Sequence, residues 1–207
     1  MAGPDPEDLT ARARIRDAAL QHFGEHGFDR ATIRGIAETA GVSSGLVRHH
    51  FGSKEALRDA CDAYLAKALE RINDQVRTDG ATEGVNYVAV AGATFGPHQA
   101  YIARALSEGR ATSLFDKLVE LSQQWLAELD DRRSDAPEVP LKDRAVVAAA
   151  MALSIAVLHQ QVSRGLGVDV LSPQGAEVLA PILLDLYSHP SLSPEEAAEL
   201  RSRLSKD

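Results

Sequence analysis

Apolar residues recur along this chain at the three-to-four-residue spacing of helices, and no run alternates with the period of two that a half-buried strand needs. The spacing predicts a first helix from about Leu9 to His26, with Ile15, Ala18, Ala19 and Phe23 on one face and a stop near Gly27. A second helix opens at Thr32, a residue suited to capping, and carries Ile33, Ile36, Ala37 and Ala40 as one stripe. Gly41 suits its end, where a left-handed backbone costs glycine little. A short third helix fits Ser44–His50. Ser53 then caps a long fourth helix, Lys54 to about Thr78, with Ala56, Leu57, Ala60, Tyr64 and Leu65 expected to point inward.

Beyond Gly80 the breaks fall at Gly96-Pro97, Gly109, Ser134–Pro140, Gly165–Pro173 and His189-Pro190. Helices are expected between them, at about 83–95, 97–108, 113–132, 141–164 and 173–187. A last one, Ser193–Leu204, opens on Ser193, Pro194 and Glu196, the signature of a capping box. The fold class is therefore all-α: an N-terminal three-helix unit over 1–54, followed by a larger helical bundle over 55–207.

The most apolar run, Ala145–Leu158, falls short of the roughly 20 residues a membrane span requires, so it reads as a buried helix. The first eight residues carry prolines and acids rather than a basic and then apolar leader, and the expected location is the cytosol. Composition adds that a single cysteine, Cys61, cannot build an internal disulfide framework and fits a reducing compartment.

Across 207 residues the formal charge is −8, which alone argues against nucleic acid, because phosphate binding needs a basic surface. Its distribution alters that picture. Residues 10–58 hold eight Lys/Arg against five Asp/Glu, a local +3, while residues 59–207 carry −8 and the first nine residues −3. A basic segment on an acidic body points to a unit that touches nucleic acid.

That segment contains TIRGIAETAGVSSGLVRHHFGSKEAL, from Thr32 to Leu57. A capped helix with an Ile-x-x-Ile-Ala stripe, a tight glycine turn and a short helix of small and polar residues make the anatomy of a helix-turn-helix. Ala37 lets the two helices cross closely. Val42 and Val47 can close the small core, and Phe51 anchors the exit. Ser44, Gly45, Leu46, Arg48 and His49 then project away from the core. Small residues at the start of the second helix leave room for it to enter a major groove roughly 12 Å wide.

The segment resembles the DNA-binding domain of the TetR/AcrR family of transcriptional regulators. The resemblance rests on Phe23, Gly27 and Phe28 at the end of the first helix, and on Thr32, Ile36, Ala37, Ala40, Gly41, Val42, Ser43 and Gly45 in the core. It closes on Phe51, Ser53, Lys54, Glu55 and Leu57. By matching position it implies phosphate contacts from Thr32 and Lys54, base-edge contacts from Ser43, Ser44, Gly45 and Leu46, and His49 at the rim. The chain departs from the family at Arg48 and His50, where tyrosines that touch phosphate commonly stand. Arg48 can donate to phosphate or read guanine, and His50 supplies a ring donor.

For the body, the resemblance implies a small-molecule effector pocket among the central helices and homodimerisation through the last two long helices. The Ala-rich 145–161 stretch, with Val146, Val147, Leu153, Val157 and Leu158, permits close helix approach, as does the face of Val178, Ile182, Leu183 and Leu186. Candidate pocket residues are Tyr87, Phe95, Tyr101, Arg104, Trp125, Met151, Ser154 and His159.

Other chemistry is weakly served. His22-Phe23-Gly24-Glu25-His26 matches the H-x-x-E-H string of inverted zinc peptidases, but no later cluster supplies a third ligand. His49 and His50, as helix neighbours, point about 100° apart and cannot chelate together. No metal, cofactor or catalytic residue is expected. The sequence reads as a ligand-responsive regulator, a repressor released from a pseudo-palindromic operator by a small molecule. The alternative is an effector-binding or protein-interaction module without operator recognition.

Overall fold

In a computed structural model, which describes residues 6–79, 86–133, 135–189 and 191–204, the helical spacing of the sequence becomes a helical chain with no strand among those residues. The N-terminal unit is α1 (Pro6–His26), α2 (Ile33–Ala40) and α3 (Ser44–Phe51), and α4 (Lys54–Asp79) leads out of it. The body follows as α5 (Tyr87–Phe95), a 3-10 turn (Gly96–His98), α6 (Gln99–Ser107), α7 (Thr112–Asp130), α8 (Leu141–Val157), α9 (His159–Leu166), α10 (Pro173–Ser188) and α11 (Pro194–Leu204). The expected start of the fifth helix, at 83–85, lies outside the described residues; Asn86 caps it instead, its side chain accepting the Ala89 N–H at 3.1 Å.

The stripes of the first three helices close on one another. Ile15, Ala19, Phe23, Ile36, Ala37, Val47 and Phe51 are buried together, and α4 adds Leu57, Cys61 and Leu65. That spacing of four turns Ala56 outward, a correction to its expected inward place, because one residue step rotates about 100° around the helix. The same core continues into the body through Tyr101, Ile102 and Ala105 of α6 and Leu114 of α7. The N-terminal unit is thus packed on α6 and does not float on a linker. A second core joins α7 and α8 through Val119, Ala145 and Ala149. Arg144 braces their connection, with Nη1 on Asp130 Oδ1 at 2.9 Å and Nε on the Val139 carbonyl at 3.1 Å. At the far end, α10 packs on α5.

The expected helix 141–164 breaks at Leu158, where α8 and α9 bend by 66°. The cause is competition for one acceptor. The Ala156 carbonyl, which a continuous helix would offer to Gln160, accepts from the Gln99 side chain and from His159 Nδ1–H, the latter at 3.0 Å. No single helix among the described residues is long and apolar enough to cross a membrane.

Candidate nucleic-acid interface

Two capped helix starts and one glycine turn build the interface. Thr32 stands extended ahead of α2, its Oγ1 accepting the Gly35 N–H at 3.1 Å. Ser43 does the same ahead of α3, its Oγ accepting the Leu46 N–H at 3.1 Å. Each satisfies one of the donors that a helix start leaves open. Between them Gly41 sits at φ 66° and ψ 40°, a conformation that a Cβ would make costly. With the chain turned there, the Val42 N–H reaches the Ala37 carbonyl at 3.0 Å and closes α2.

Helix α3 is sorted by its contacts. Val47 and Phe51 face the core, whereas Gly45, Arg48 and His49, at i, i+3 and i+4, are exposed on one stripe. Ser44 and Leu46 are half-buried at the edges of that stripe, and Thr32 and Ser43 are exposed. His50 is half-buried, its ring edge-on to His49 and Phe51.

The sequence reading missed what holds the end of α3. Arg12 Nη1 donates to the His50 carbonyl at 3.2 Å, and its guanidinium lies 4.7 Å from the centre of the Phe51 ring. A cation at a helix C-terminus meets the open carbonyls and the negative end of the dipole. The contact spans 38 residues of sequence, so no local pattern announces it.

Lys54 has partners within the chain. Its ammonium donates to the carbonyls of Phe28 at 2.8 Å, Ala31 at 3.1 Å and Asp29 at 3.4 Å, and lies 4.4 Å from the Phe28 ring centre. An ammonium has three N–H donors, and three carbonyls face it within the chain.

Among the described residues, the candidate pocket side chains do not converge on one cavity. Arg104 and His159 line a cleft of about 770 Å³ between α6 and the α8–α9 bend, with Gln99, Gln160 and Gln161 around them. Tyr101 is buried, and its hydroxyl donates to Asp62 Oδ1. Burial pushes the Asp62 carboxyl above the ordinary carboxylate range, and the bond from Tyr101 pulls it part of the way back. Phe95 packs against the first core, and Trp125 donates to Asn73 Oδ1 at 2.8 Å. Met151 and Ser154 are exposed, because the buried Ala145 and Ala149 fix the rotation of α8 and turn these two positions outward. Helix α5 carries Tyr87, whose side chain lies outside the described residues.

The remaining candidates for chemistry have tasks inside the fold. His22 is hydrogen-bonded to Thr39 Oγ1 at 2.7 Å and ties α1 to α2. Cys61 is buried with its Sγ 3.7 Å from the Arg16 carbonyl, and burial pushes its thiol well above the ordinary range, which keeps it protonated.

Residues 15–61, which contain the capped turn and the exposed stripe, match the model for bacterial regulatory proteins of the tetR family. Over these residues the chain is similar to that family. The chain is 40% identical over 124 residues to the HTH-type transcriptional regulatory protein RaaS of Mycobacterium tuberculosis, covering 58% of each chain. It is 37% identical over 78 residues to the HTH-type transcriptional repressor AcnR of Corynebacterium efficiens, covering 36% of this chain and 38% of that one. The match therefore spans less than two thirds of the length of these relatives. Among solved structures, the fatty acid degradation regulator FadR from Bacillus halodurans superposes with a TM-score of 0.62 at 18% identity, over 86% of this chain and 96% of that one. At that identity the likeness is one of fold.

Proposed function

We propose that this chain is a ligand-responsive, DNA-binding transcriptional regulator that acts in the cytosol as a homodimeric repressor. Residues 1–54 would read the DNA, and residues 55–207 would take the effector and the second subunit. The observation that carries the reading is the exposed stripe of Gly45, Arg48 and His49 on a helix whose other side is locked by Val47 and Phe51. An eight-residue helix presented in this way fits a major groove. In this reading Ser43, Ser44, Gly45 and Leu46 meet base edges, His49 lies at the rim, and Thr32, Arg48 and His50 meet phosphate. The names of the RaaS and AcnR relatives support a regulator.

Two such helices, one per subunit, would occupy successive major grooves about 34–36 Å apart on a pseudo-palindromic site. A small molecule bound in the body would release the DNA by tilting α4, the helix that joins the N-terminal unit to α7. It does so only to the extent that it binds the two arrangements with different affinity. The cleft that includes Arg104 and His159 is one place for such a molecule, since it borders both α6 and Gly24 of α1.

The test is selection of duplexes from a randomised library, followed by a salt titration of binding. The regulator reading expects an enriched half-site in inverted repeat, and a salt slope that falls by about 1 per subunit when Arg48 becomes Gln. No enrichment over competitor DNA sinks it and leaves the effector-binding or protein-interaction module in its place.

A further inference from the structure

Lys54 is the first residue of α4, directly after the segment that leaves α3, yet its ammonium sits on the carbonyls of Phe28, Asp29 and Ala31, the segment that enters α2. The side chain thus ties together the two ends of the helix-turn-helix, across 23 to 26 residues of sequence. The platform beneath it is the Phe28 ring. That ring also faces the guanidinium of Arg58 from α4 at 4.7 Å and of Arg110 from the α6–α7 turn at 5.3 Å. The loop ahead of Thr32 is therefore held by cations from α4 and from the body together. At the other end of the unit Arg12 holds the His50 carbonyl in the last turn of α3. Lys54 is a candidate for phosphate in the sequence, yet, like Arg12, it donates inside the chain.

We propose that Lys54 is a positioning residue for operator recognition: it fixes the entry of α2, and through it the pose of α3, without touching DNA. The proposal rests on the regulator reading above. It gives this lysine a role opposite to a phosphate contact, and the two roles differ in what they do to binding. A phosphate contact contributes to every duplex alike and to the salt slope. A positioning contact contributes only where the groove contacts must register, so it raises the preference for the correct sequence and leaves the slope alone.

The experiment compares wild type with Lys54→Met on two duplexes: one selected by the wild-type chain from a randomised library, and a scramble of it with the same composition. If the wild type selects nothing, the regulator reading has failed before Lys54 is tested. Given a selected duplex, we expect Lys54→Met to bind it about tenfold more weakly, the scale of one lost charge-assisted hydrogen bond. The scrambled duplex should be bound within about twofold of wild type, with an unchanged salt slope. Equal loss on both duplexes overturns the proposal. With a slope reduced by about 1 it identifies a phosphate contact. With an unchanged slope it identifies a general loss of folded protein.

A readout on the wild type keeps the proposal open to refutation even if the variant fails to fold. Amine acylation followed by mass spectrometry should find Lys54 protected in the free protein relative to the exposed Lys67, and equally protected when the selected duplex is bound. Reaction of Lys54 at the rate of Lys67 in the free protein, with protection appearing only in the complex, overturns it.

Discussion

A methyl group placed on Gly24 would lie 2.7 Å from the backbone nitrogen of Tyr101, closer than real Cβ contacts allow. Helices α1 and α6 approach backbone to backbone at this point, and Arg104 Nε fastens the contact by donating to the Gly24 carbonyl at 2.9 Å. The atom that must yield is main chain, so Gly24→Ala has to part the helices. We expect a loss of about 1–3 kcal/mol in denaturant unfolding, the usual scale of overpacking. Selected-duplex affinity should change by more than that of Ala103→Ser, a control on the half-buried side of α6. If α1–α6 packing is a route from body to DNA, Gly24→Ala alters operator affinity in folded protein; unaltered affinity removes α6 from the route.

The buried Asp62–Tyr101 pair gives a pH dependence whose sign can be worked out. Desolvation raises the folded-state value of Asp62, the neighbouring Asp59 adds to this, and the Tyr101 hydroxyl and Arg58 oppose it. A carboxyl with a raised folded value holds its proton more tightly folded than unfolded, so stability falls as pH rises from about 4 through that raised value. Asp62→Asn keeps an acceptor for Tyr101 and removes the charge. The difference in thermal midpoint, wild type minus variant, should therefore fall across this window and level off above it. Tyr101→Phe leaves a buried carboxylate without its donor and should cost about 1–3 kcal/mol. A wild-type-minus-Asn difference that is flat or rises with pH contradicts the assignment.

The two caps separate structure from contact. Thr32→Ala and Ser43→Ala should each cost about 1 kcal/mol of stability, while Ser43→Gly, which keeps a good capping backbone, should cost only a few tenths. If the Ser43 hydroxyl also meets a base edge, Ser43→Gly and Ser43→Ala weaken selected-duplex binding alike. If Ser43 only caps, binding recovers in Ser43→Gly along with stability.

How much of this was legible in the sequence follows from the range of each signal. Thr32, Gly41 and Ser43 act on residues within four positions of themselves, and their roles could be read from spacing alone. The inward stripe of α1 and the outward stripe of α3 are likewise local consequences of one helix period. The clamps are not local: Arg12 meets His50 and Lys54 meets Phe28 through the fold, and a lone cation on a helix reads the same whether it faces phosphate or a carbonyl. The break at Leu158 was invisible for the same reason, since Gln99, the competitor for the Ala156 carbonyl, is 57 residues away from it. The pocket candidates scattered because aromatic and Met residues mark burial or exposure with equal ease. Only the positions of Ala145 and Ala149 in the α7–α8 core decide where Met151 points.

The outward face of the body makes the last prediction. Val147 and Met151, one turn apart on α8, are 59% and 60% exposed, and Leu184 and Tyr187 on α10 are 71% and 72% exposed. Burying such side chains is worth about 25 cal/mol per Å² of apolar area, and a chain that leaves several of them in water has that much free energy available for association. An isologous contact uses the same patch from both subunits, so one substitution acts twice. Met151→Glu and Leu184→Glu should therefore each bury two charges, one from each subunit, where apolar groups would meet. We expect the wild type to sediment as a dimer at micromolar concentration and both variants to shift toward monomer, with circular dichroism unchanged. Because a monomer reaches only one half-site, the same variants should lose most of the affinity for a full inverted repeat while keeping that for a single half-site. A wild type that is monomeric, or a Met151→Glu chain that dimerises and binds the full site as before, shows that this face does not join the subunits.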